Sequence, residues 1–474
     1  MFSPVAESFS IAQVTPYAWE AGHEVNLYVE RVAAELAGRG HRVAIVAPTT
    51  RSSLVRQTRA AVRRGGDGLL PAPGDGPRLL GVGDVLRVGS ARRGARKLPV
   101  DVARTIEDAL TALPLDLVHV HEPWAPSAAS AALRHSRALN VGTFHAPPTE
   151  RLVSTQLARR VVELVFGRLD ARLASYETTA DLLRQFYPAD YRVVLPGADP
   201  PSAAGGRGDG DGVRIAFAHR EERPALRLFL RGLRRVSLER PWSATLWSSQ
   251  DTAPPASIRR EVRERIRVEG PIRGATDVRL DGSDVAVFAS SGASPSPGLV
   301  VRALAAGAVP VAARLPVYEE LLREGELGLL FEPGDVETLA AQLDRLVSDE
   351  ALRARLRGNA DALRARLTWS RVADELEDAY RALAARRHPA DGNANVQARL
   401  AKRPLIDVDL HMHTDHSPDC ATPVEVLLAT AQVQGLGAIA VTDHNEISGA
   451  LDARDKADGV KVIVAEEIKT AHQG

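Results

Sequence analysis

A stretch of nineteen residues, GLVVRALAAGAVPVAARLP (residues 298–316), constrains the fold of this chain more than any other segment. Pro297 precedes it at a position that favours a helix start, and apolar side chains between 299 and 304 give the helix one buried face. Gly307 ends the helix, and the apolar run at 308–312 is typical of a buried parallel strand. A helix that passes through glycine directly into a strand predicts a doubly wound α/β sheet.

Composition bounds the class of protein and its number of domains. A chain of 474 residues is too long for one hydrophobic core, which predicts two or three domains. Lysine and arginine together number 60, as do aspartate and glutamate, so no charge excess indicates a nucleic-acid partner. Cys420 is the only cysteine, no apolar run reaches the roughly 18 residues of a membrane span, and no signal pattern opens the chain. These features predict a cytoplasmic protein of unknown oligomeric state.

The N-terminal region repeats the order of strand, loop and helix. Residues 10–16 have the pattern of a strand, and apolar residues between 25 and 36 recur at a helical spacing. A loop that contains Gly22 joins the two, and residues 42–47 form the next strand. This order again predicts a doubly wound sheet.

Two short strings stand at the carboxyl ends of predicted strands. HEPWAPS (residues 121–127) follows a strand at residues 115–121, and TFH ends the next strand at His145. Open α/β sheets bind their ligands outside the carboxyl ends of their strands. His145 is therefore a candidate for the site, whereas His119 and His121 fit better as satisfied polar residues within the strand.

These strings and residues 298–316 resemble segments of retaining glycosyltransferases with the GT-B fold, in particular the phosphatidylinositol mannosyltransferase-like members of group 1 and family 4. The resemblance extends over about residues 10–386 and implies two Rossmann-like domains. The first would span residues 1–198. The second, which binds the donor, would span residues 199–386 and end in a helix that returns to the first domain.

The resemblance also implies a reaction and the residues that serve it. Such enzymes transfer a sugar from a nucleotide-sugar donor to a lipid or small-molecule acceptor and need no cofactor. His145 matches the histidine at the reaction centre of the family, and Gly22, Arg220 and Gly298 match positions that bind the donor. A lipid acceptor would bring the cytoplasmic protein to the inner face of the membrane.

Several positions of the donor site depart from the family pattern. Ser294 and Arg302 stand where the family has two glutamates that accept from sugar and ribose hydroxyls, and Pro224 replaces a lysine that holds the diphosphate. Only Gly22 remains of a glycine pair, with Glu24 close behind it. Two interpretations stay open: a glycosyltransferase with a degenerate donor site, and a catalytically inactive scaffold or binding module attached to a hydrolase.

Residues 51–100 carry eleven basic residues against three acidic ones. One interpretation is a solvated connection of helix and loop, which charge runs usually form. The other is a basic face that docks on anionic phospholipid, as in lipid-glycosylating members of the family. No stretch combines a strong apolar face with the basic one, so the first interpretation is favoured.

A different chemistry follows a polar linker at residues 387–403. The string DLHMHTDHSPD (residues 409–419) ends a predicted strand, VTDH ends a second strand at His444, and a third strand ends at Glu467. Alternate residues of one strand point the same way, so an H-x-H pair offers two imidazoles to one site. Histidines and carboxylates at successive strand ends predict a metal-binding site.

Residues 404–474 resemble the N-terminal part of the PHP (polymerase and histidinol phosphatase) family, a distorted β/α barrel that hydrolyses phosphoesters with divalent Zn, Mn or Fe ions. The resemblance implies that Asp443 orients the neighbouring histidine. A closed barrel needs about 200 residues or more, so we expect a truncated barrel without hydrolase activity. The matching positions imply five metal ligands, which are His411, His413, Asp419, His444 and Glu467.

Overall fold

The computed structural model describes residues 8–66, 68–83, 100–124, 127–146, 159–201, 212–248, 258–272, 274–387 and 406–468. The chain divides into two compact units, Met1–Arg387 and His388–Gly474. Two parallel sheets lie in the first unit and one lies in the second. Within the described ranges, no helix is both long and apolar enough to cross a lipid bilayer.

Seven parallel strands form the first sheet, in which the chain starts near the middle and winds outward in both directions. The strands are β1 (Ser10–Val14), β2 (Arg42–Ala47), β3 (Arg78–Gly81), β4 (Leu117–His121), β5 (Leu139–Phe144), β6 (Ala171–Ala174) and β7 (Arg192–Val193). Their order across the sheet is β3-β2-β1-β4-β5-β6-β7. The helices around it are α1 (Glu24–Gly38), α2 (Ser52–Arg63), α3 (Val100–Ala112), α4 (Ala128–His135), α5 (Arg159–Phe166) and α6 (Glu177–Phe186).

Six parallel strands form the second sheet, which confirms the doubly wound class for both halves of the unit. They are β8 (Val213–Ala218), β9 (Trp242–Trp247), β10 (Ile266–Glu269), β11 (Val285–Phe288), β12 (Val309–Ala313) and β13 (Leu329–Phe331), in the order β10-β9-β8-β11-β12-β13. The helices are α7 (Arg223–Leu233), α8 (Arg260–Arg263), α9 (Pro297–Ala306), α10 (Pro316–Leu322), α11 (Val336–Ser348), α12 (Glu350–Arg364) and α13 (Trp369–Arg387).

Local chemistry fixes where several of these helices begin and end. Ser127 Oγ accepts from the backbone N–H of Ser130 at 3.1 Å and caps α4. Asp335 accepts from the N–H of Glu337 at 2.9 Å and caps α11. Gly307, with φ of 78°, ends α9 in the left-handed conformation that its place in the stretch 298–316 predicts.

The last helix of the first unit, α13, packs on the first sheet rather than on the second. Val372, Leu376 and Tyr380 are fully buried in a core that also contains Ile11 and Val29. The chain therefore returns to its first half, as the resemblance implies. Of the basic segment, residues 52–63 form α2, and residues 67 and 84–99 lie outside the described ranges.

The second unit contains an open sheet of three parallel strands, β14 (Asp407–Met412), β15 (Leu436–Val441) and β16 (Lys461–Val464), with helices α14 (Val424–Val433) and α15 (Ser448–Lys456). Both β14 and β16 are edge strands, so residues 406–468 do not close a barrel. Val408 and Leu410 on β14 are 48% and 62% exposed. One face of the sheet is therefore not covered within the described part of this unit.

Candidate functional site

A cavity of about 430 Å³ lies in the first unit, and residues from both of its sheets form the walls. His145, Arg220 and Gly298, three of the residues predicted from the resemblance, line this cavity. Gly22, the fourth, lines a smaller pocket of about 100 Å³ that shares His23 with the larger one. The structure thus brings the four residues to one region between the domains.

His145 follows β5, and both nitrogens of its ring are hydrogen-bonded. Nδ1 lies 2.9 Å from Ser175 Oγ, and Nε2 lies 3.1 Å from His121 Nδ1. The backbone N–H of His145 donates to Glu122 Oε1 at 2.6 Å, which fixes the end of the strand. The ring of Tyr28 packs edge-on against His145 with centroids 4.7 Å apart. The imidazole therefore faces the cavity in one fixed orientation.

A chain of buried hydrogen bonds continues from this histidine into the first sheet. His121 Nε2 donates to Gln13 Oε1 at 2.8 Å, and Gln13 Nε2 donates to the Tyr380 hydroxyl at 3.2 Å. That hydroxyl donates to His119 Nδ1 at 2.6 Å, and His119 Nε2 donates to Thr143 Oγ1 at 2.7 Å. Since each donor needs an acceptor, this series of hydrogen bonds assigns the ring protons of His119 and His121 to Nε2. Both rings are satisfied polar groups, as expected from the sequence.

Burial also determines the charge of these three rings. Burial lowers the pKa of His119 and of His145 to about 3, and it lowers the pKa of His121 well below the usual value. Neighbouring histidines act in the same direction on His121 and His145. All three rings are therefore neutral at neutral pH. His145 presents a neutral, hydrogen-bonded ring to the cavity rather than a charged acid.

Arg220 lies in the loop after β8 and reaches the first domain. Its guanidinium donates to the backbone oxygen of Gly22 at 3.2 Å, so these two predicted residues are in contact. Arg223 is exposed at the start of α7, where Pro224 occupies a first-turn position. Of these two arginines, Arg220 is the one that faces the cavity.

The two positions that depart from the family glutamates also line the cavity. Arg302 on α9 donates to the backbone oxygen of Val278 at 2.6 Å. Burial lowers the pKa of Arg302, and Glu24 and Asp199 oppose that effect. The backbone N–H of Ser294 donates to a carboxylate from the loop after β8 at 3.1 Å. This wall of the cavity is therefore cationic where the family pattern is anionic.

Two further acidic residues organise the wall and were missed by sequence reasoning. Glu222 accepts from Ser294 N and from Ser290 Oγ, at 3.1 and 2.8 Å, and holds the loop that precedes α9. Glu221 is buried and accepts from the Tyr318 hydroxyl at 2.5 Å. Burial raises the pKa of Glu221 to about 8. The only signal in the sequence was the string HREE after a predicted strand.

Glu24 reaches the cavity from the first turn of α1. A β-carbon built on Gly298 would lie 2.8 Å from Glu24 Oε2, so this carboxylate packs directly against the head of α9. Burial raises the pKa of Glu24, and the positive charges of Arg220 and Arg302 oppose that effect. The site therefore contains its own carboxylate next to two arginines.

The second unit brings all five predicted metal ligands together. His411, His413 and Glu467 form one group, and His413, Asp419 and His444 form another, each with its candidate ligand atoms within 4.8 Å of one another. Glu467 Oε2 lies 3.1 Å from His411 Nε2, and Asp419 Oδ2 lies 2.9 Å from His444 Nε2. The Nδ1 atom of His444 is buried and has no hydrogen-bond partner among the described residues.

Asp443 is fully buried next to this cluster and contacts a turn rather than a histidine ring. Its Oδ1 accepts from Thr414 N at 2.6 Å, and its Oδ2 accepts from Thr414 Oγ1 at 2.7 Å. A β-carbon on Gly449 would come within 2.1 Å of Oδ2, so a glycine is needed there. This geometry differs from the predicted role at the neighbouring histidine, because the carboxylate orients the loop that follows His413.

Two doubly wound sheets around a shared cavity, with a final helix that returns to the first sheet, define the GT-B fold. Family models match the same regions: Glycosyltransferase Family 4 matches residues 25–201, and Glycosyl transferases group 1 matches residues 213–349. A PHP domain matches residues 409–473. The chain therefore combines glycosyltransferase family 4 and group 1 domains with a PHP domain.

Curated relatives agree with this architecture. The phosphatidyl-myo-inositol mannosyltransferase of Mycolicibacterium smegmatis is 25% identical over 385 residues, which cover 78% of this chain and 93% of the relative. The D-inositol 3-phosphate glycosyltransferase of Stackebrandtia nassauensis is 41% identical over 100 residues, 20% of this chain and 23% of that relative.

Two solved structures show a similar fold. Sucrose-phosphate synthase from Thermosynechococcus elongatus has a TM-score of 0.59 at 17% identity, and the matched region covers 79% of this chain and 99% of the synthase chain. Anabaena HepE in complex with UDP-glucose has a TM-score of 0.56 at 14% identity and covers 79% of this chain and 100% of its own. At these identities the likeness concerns the fold alone.

Proposed function

We propose that this glycosyltransferase moves a sugar from a nucleotide-sugar donor to a lipid or small-molecule acceptor in the cavity between its two domains. The observation that carries the proposal is the arrangement of His145, Arg220 and Gly298 around that cavity. The relatives are named for transfer to inositol-containing acceptors, and HepE was solved with UDP-glucose, which supports these classes of acceptor and donor.

Each of these residues has a role that follows from its surroundings. Arg220 supplies a positive charge for the donor diphosphate next to Gly22. Helix α9 offers the positive end of its dipole and, in its first turn, the backbone N–H of Gly298. His145 is neutral and held by Ser175 and His121, so it acts on the transferred sugar through the fixed position of its ring.

Calorimetric titration of the full chain with UDP, GDP, ADP and their nucleotide sugars tests this proposal. Arg220→Ala removes the charge that faces the diphosphate and should weaken binding about tenfold, a loss of about 1.4 kcal/mol. Arg223→Ala, an exposed neighbour, is the matched control and should leave the affinity nearly unchanged. His145→Ala should lower turnover with little effect on donor binding.

Failure of the full chain to bind any nucleotide sugar would contradict the proposal. So would unchanged binding and turnover in both the Arg220 and the His145 variants. Either result would favour the alternative, a glycosyltransferase-like scaffold without catalysis, to which the replacements Ser294, Arg302 and Pro224 already point.

We also propose that the second unit binds divalent metal, with Zn, Mn or Fe as candidates. Imidazole nitrogens together with carboxylate oxygens suit these ions, and a ligand would give the buried His444 Nδ1 a partner. A metal there would lower the pKa of bound water and neutralise a phosphate.

The metal content of the full chain, measured after equilibration with each ion, tests the metal proposal. His413→Ala should lose most of the bound metal because His413 belongs to both groups. His416→Ala is the matched control, since its ring pairs with Ser448 Oγ at 2.8 Å outside both groups. Equal metal content in the two variants would refute the assignment.

A lipid acceptor requires the protein to meet a membrane surface, so we propose peripheral association with the inner leaflet. Co-sedimentation with vesicles that contain phosphatidylinositol should exceed co-sedimentation with pure phosphatidylcholine vesicles and should decrease with added salt. Equal retention on both kinds of vesicle would argue against a membrane-surface acceptor.

A further inference from the structure

The head of α9 is occupied by a carboxylate that the first domain supplies. Glu24 Oε2 would lie 2.8 Å, and Glu24 Cδ 3.3 Å, from a β-carbon built on Gly298. Helix α9 spans ten residues, and its N-cap residue, Ser296, makes no side-chain capping hydrogen bond. Pro297 has no N–H, and the N–H of Leu299 donates to the backbone oxygen of Ser296 at 3.0 Å. The first turn therefore offers the N–H of Gly298 and a partial positive charge to an anion, and the Glu24 carboxylate lies against it.

Positively charged residues surround the Glu24 carboxylate, as they do in a site that binds an anionic ligand. Arg220 and Arg302 both act on Glu24 through their positive charges. Neither arginine lies within ion-pair distance of it among the described residues, so the carboxylate stands near both cations without a direct pair. Its Oε1 atom is buried and, in the same described residues, has no hydrogen-bond partner. A buried carboxylate oxygen without a donor is costly to maintain, which indicates that this geometry serves the site rather than the stability of the fold.

We propose that Glu24 is a specificity-determining residue, an internal anion that occupies the diphosphate position at the head of α9 and competes with any anionic ligand for that position. This inference rests on the proposed function, in which the donor diphosphate binds next to Arg220. A diphosphate enters only when the Glu24 carboxylate moves away or takes up a proton, because two anions close to the same cations repel each other. The cavity thus admits diphosphates more weakly than its arginines alone would allow.

Titration of the full chain with sodium pyrophosphate at pH 7.5 tests the inference without reference to the base or the sugar. Glu24→Gln keeps the shape and removes the charge, so it should bind pyrophosphate about tenfold more tightly than the unchanged protein. Glu35→Gln removes one negative charge from the same helix at a position that lines neither of the two pockets, and it should change the affinity less than about twofold. Glu24→Ala, a second variant, should shift the affinity in the same direction as Glu24→Gln.

Unchanged or weaker pyrophosphate binding by Glu24→Gln would overturn the inference, as would undetectable binding by both proteins. Weaker binding would indicate instead that the carboxylate helps to hold the ligand. UDP in the same titrations separates the two proposals. A gain for pyrophosphate without any preference for UDP over pyrophosphate would support the anion role of Glu24 while contradicting the nucleotide-sugar function.

Discussion

The hydroxyl of Tyr380 joins two halves of the buried hydrogen-bond chain behind His145, and its removal tests whether that chain stabilises the first unit. Tyr380→Phe would leave His119 Nδ1 without its donor and Gln13 Nε2 without its acceptor. Each of these groups is fully buried, and an unsatisfied buried polar group costs about 1–3 kcal/mol. The two groups together predict a loss of about 2–6 kcal/mol in the free energy of unfolding.

The control is Tyr28, a second buried tyrosine, which differs from Tyr380 in the hydrogen bonding of its hydroxyl. The hydroxyl of Tyr28 is buried and, within the described residues, has no hydrogen-bond partner. Tyr28→Phe therefore removes an unsatisfied polar group and should leave the free energy of unfolding unchanged or raise it slightly. The two substitutions delete the same atom from similar depths, so their difference isolates the hydrogen bonds.

Urea unfolding followed by tryptophan fluorescence measures both variants, because all five tryptophans of the chain lie in residues 1–387. The signal therefore reports the first unit and not the PHP domain. A midpoint for Tyr380→Phe clearly below that of Tyr28→Phe is the expected result. If the free energies of unfolding of the two variants lie within about 0.5 kcal/mol of each other, the buried hydrogen bonds of Tyr380 do not contribute the stability assigned to them.

Further predictions concern pH and packing in the first unit. Its stability should fall as the pH drops from about 6.5 toward 3, because the unfolded chain protonates His119, His121 and His145 while burial lowers their pKa in the folded state. Stability should also decline as the pH rises from 6.5 toward 8. The cause is Glu221, whose pKa is raised to about 8 in the folded state, so that it keeps a proton that the unfolded chain has already lost. Urea midpoints of Glu221→Gln should show a smaller decline over this pH range. Gly298→Ala should lower the melting temperature because its β-carbon meets Glu24, whereas Gly358→Ala, where nothing lies within 4 Å, should raise it slightly. Equal shifts for the two glycines would contradict the packing argument.

The sequence predicts the elements of this fold well where the cause is local. Apolar runs give the parallel strands, Asp335 caps its helix, and Gly307 ends α9 because the left-handed conformation favours glycine.

The same distinction between local and long-range causes separates the site residues that the sequence could place from those that it could not. Histidines at strand ends could be placed together from the sequence, because carboxyl ends of neighbouring parallel strands meet at one sheet edge. The partners of Glu24 and Glu222 could not, because Glu24 meets helix α9 only after the two domains have packed, and Glu222 meets a loop that follows a different strand. Asp443 was assigned to a histidine by proximity in the chain, but the fold turns its carboxylate toward Thr414.

Helix α13 follows the second sheet along the chain and yet completes the core of the first. A chimera that joins residues 1–198 of this protein to the remainder of a relative would import a foreign helix into that core. The imported helix would need a tyrosine at the position of Tyr380 to pair with both Gln13 and His119. We therefore expect an active chimera to take residues 369–387 from the same parent as the first 198, so the exchanged module would be discontinuous in the gene.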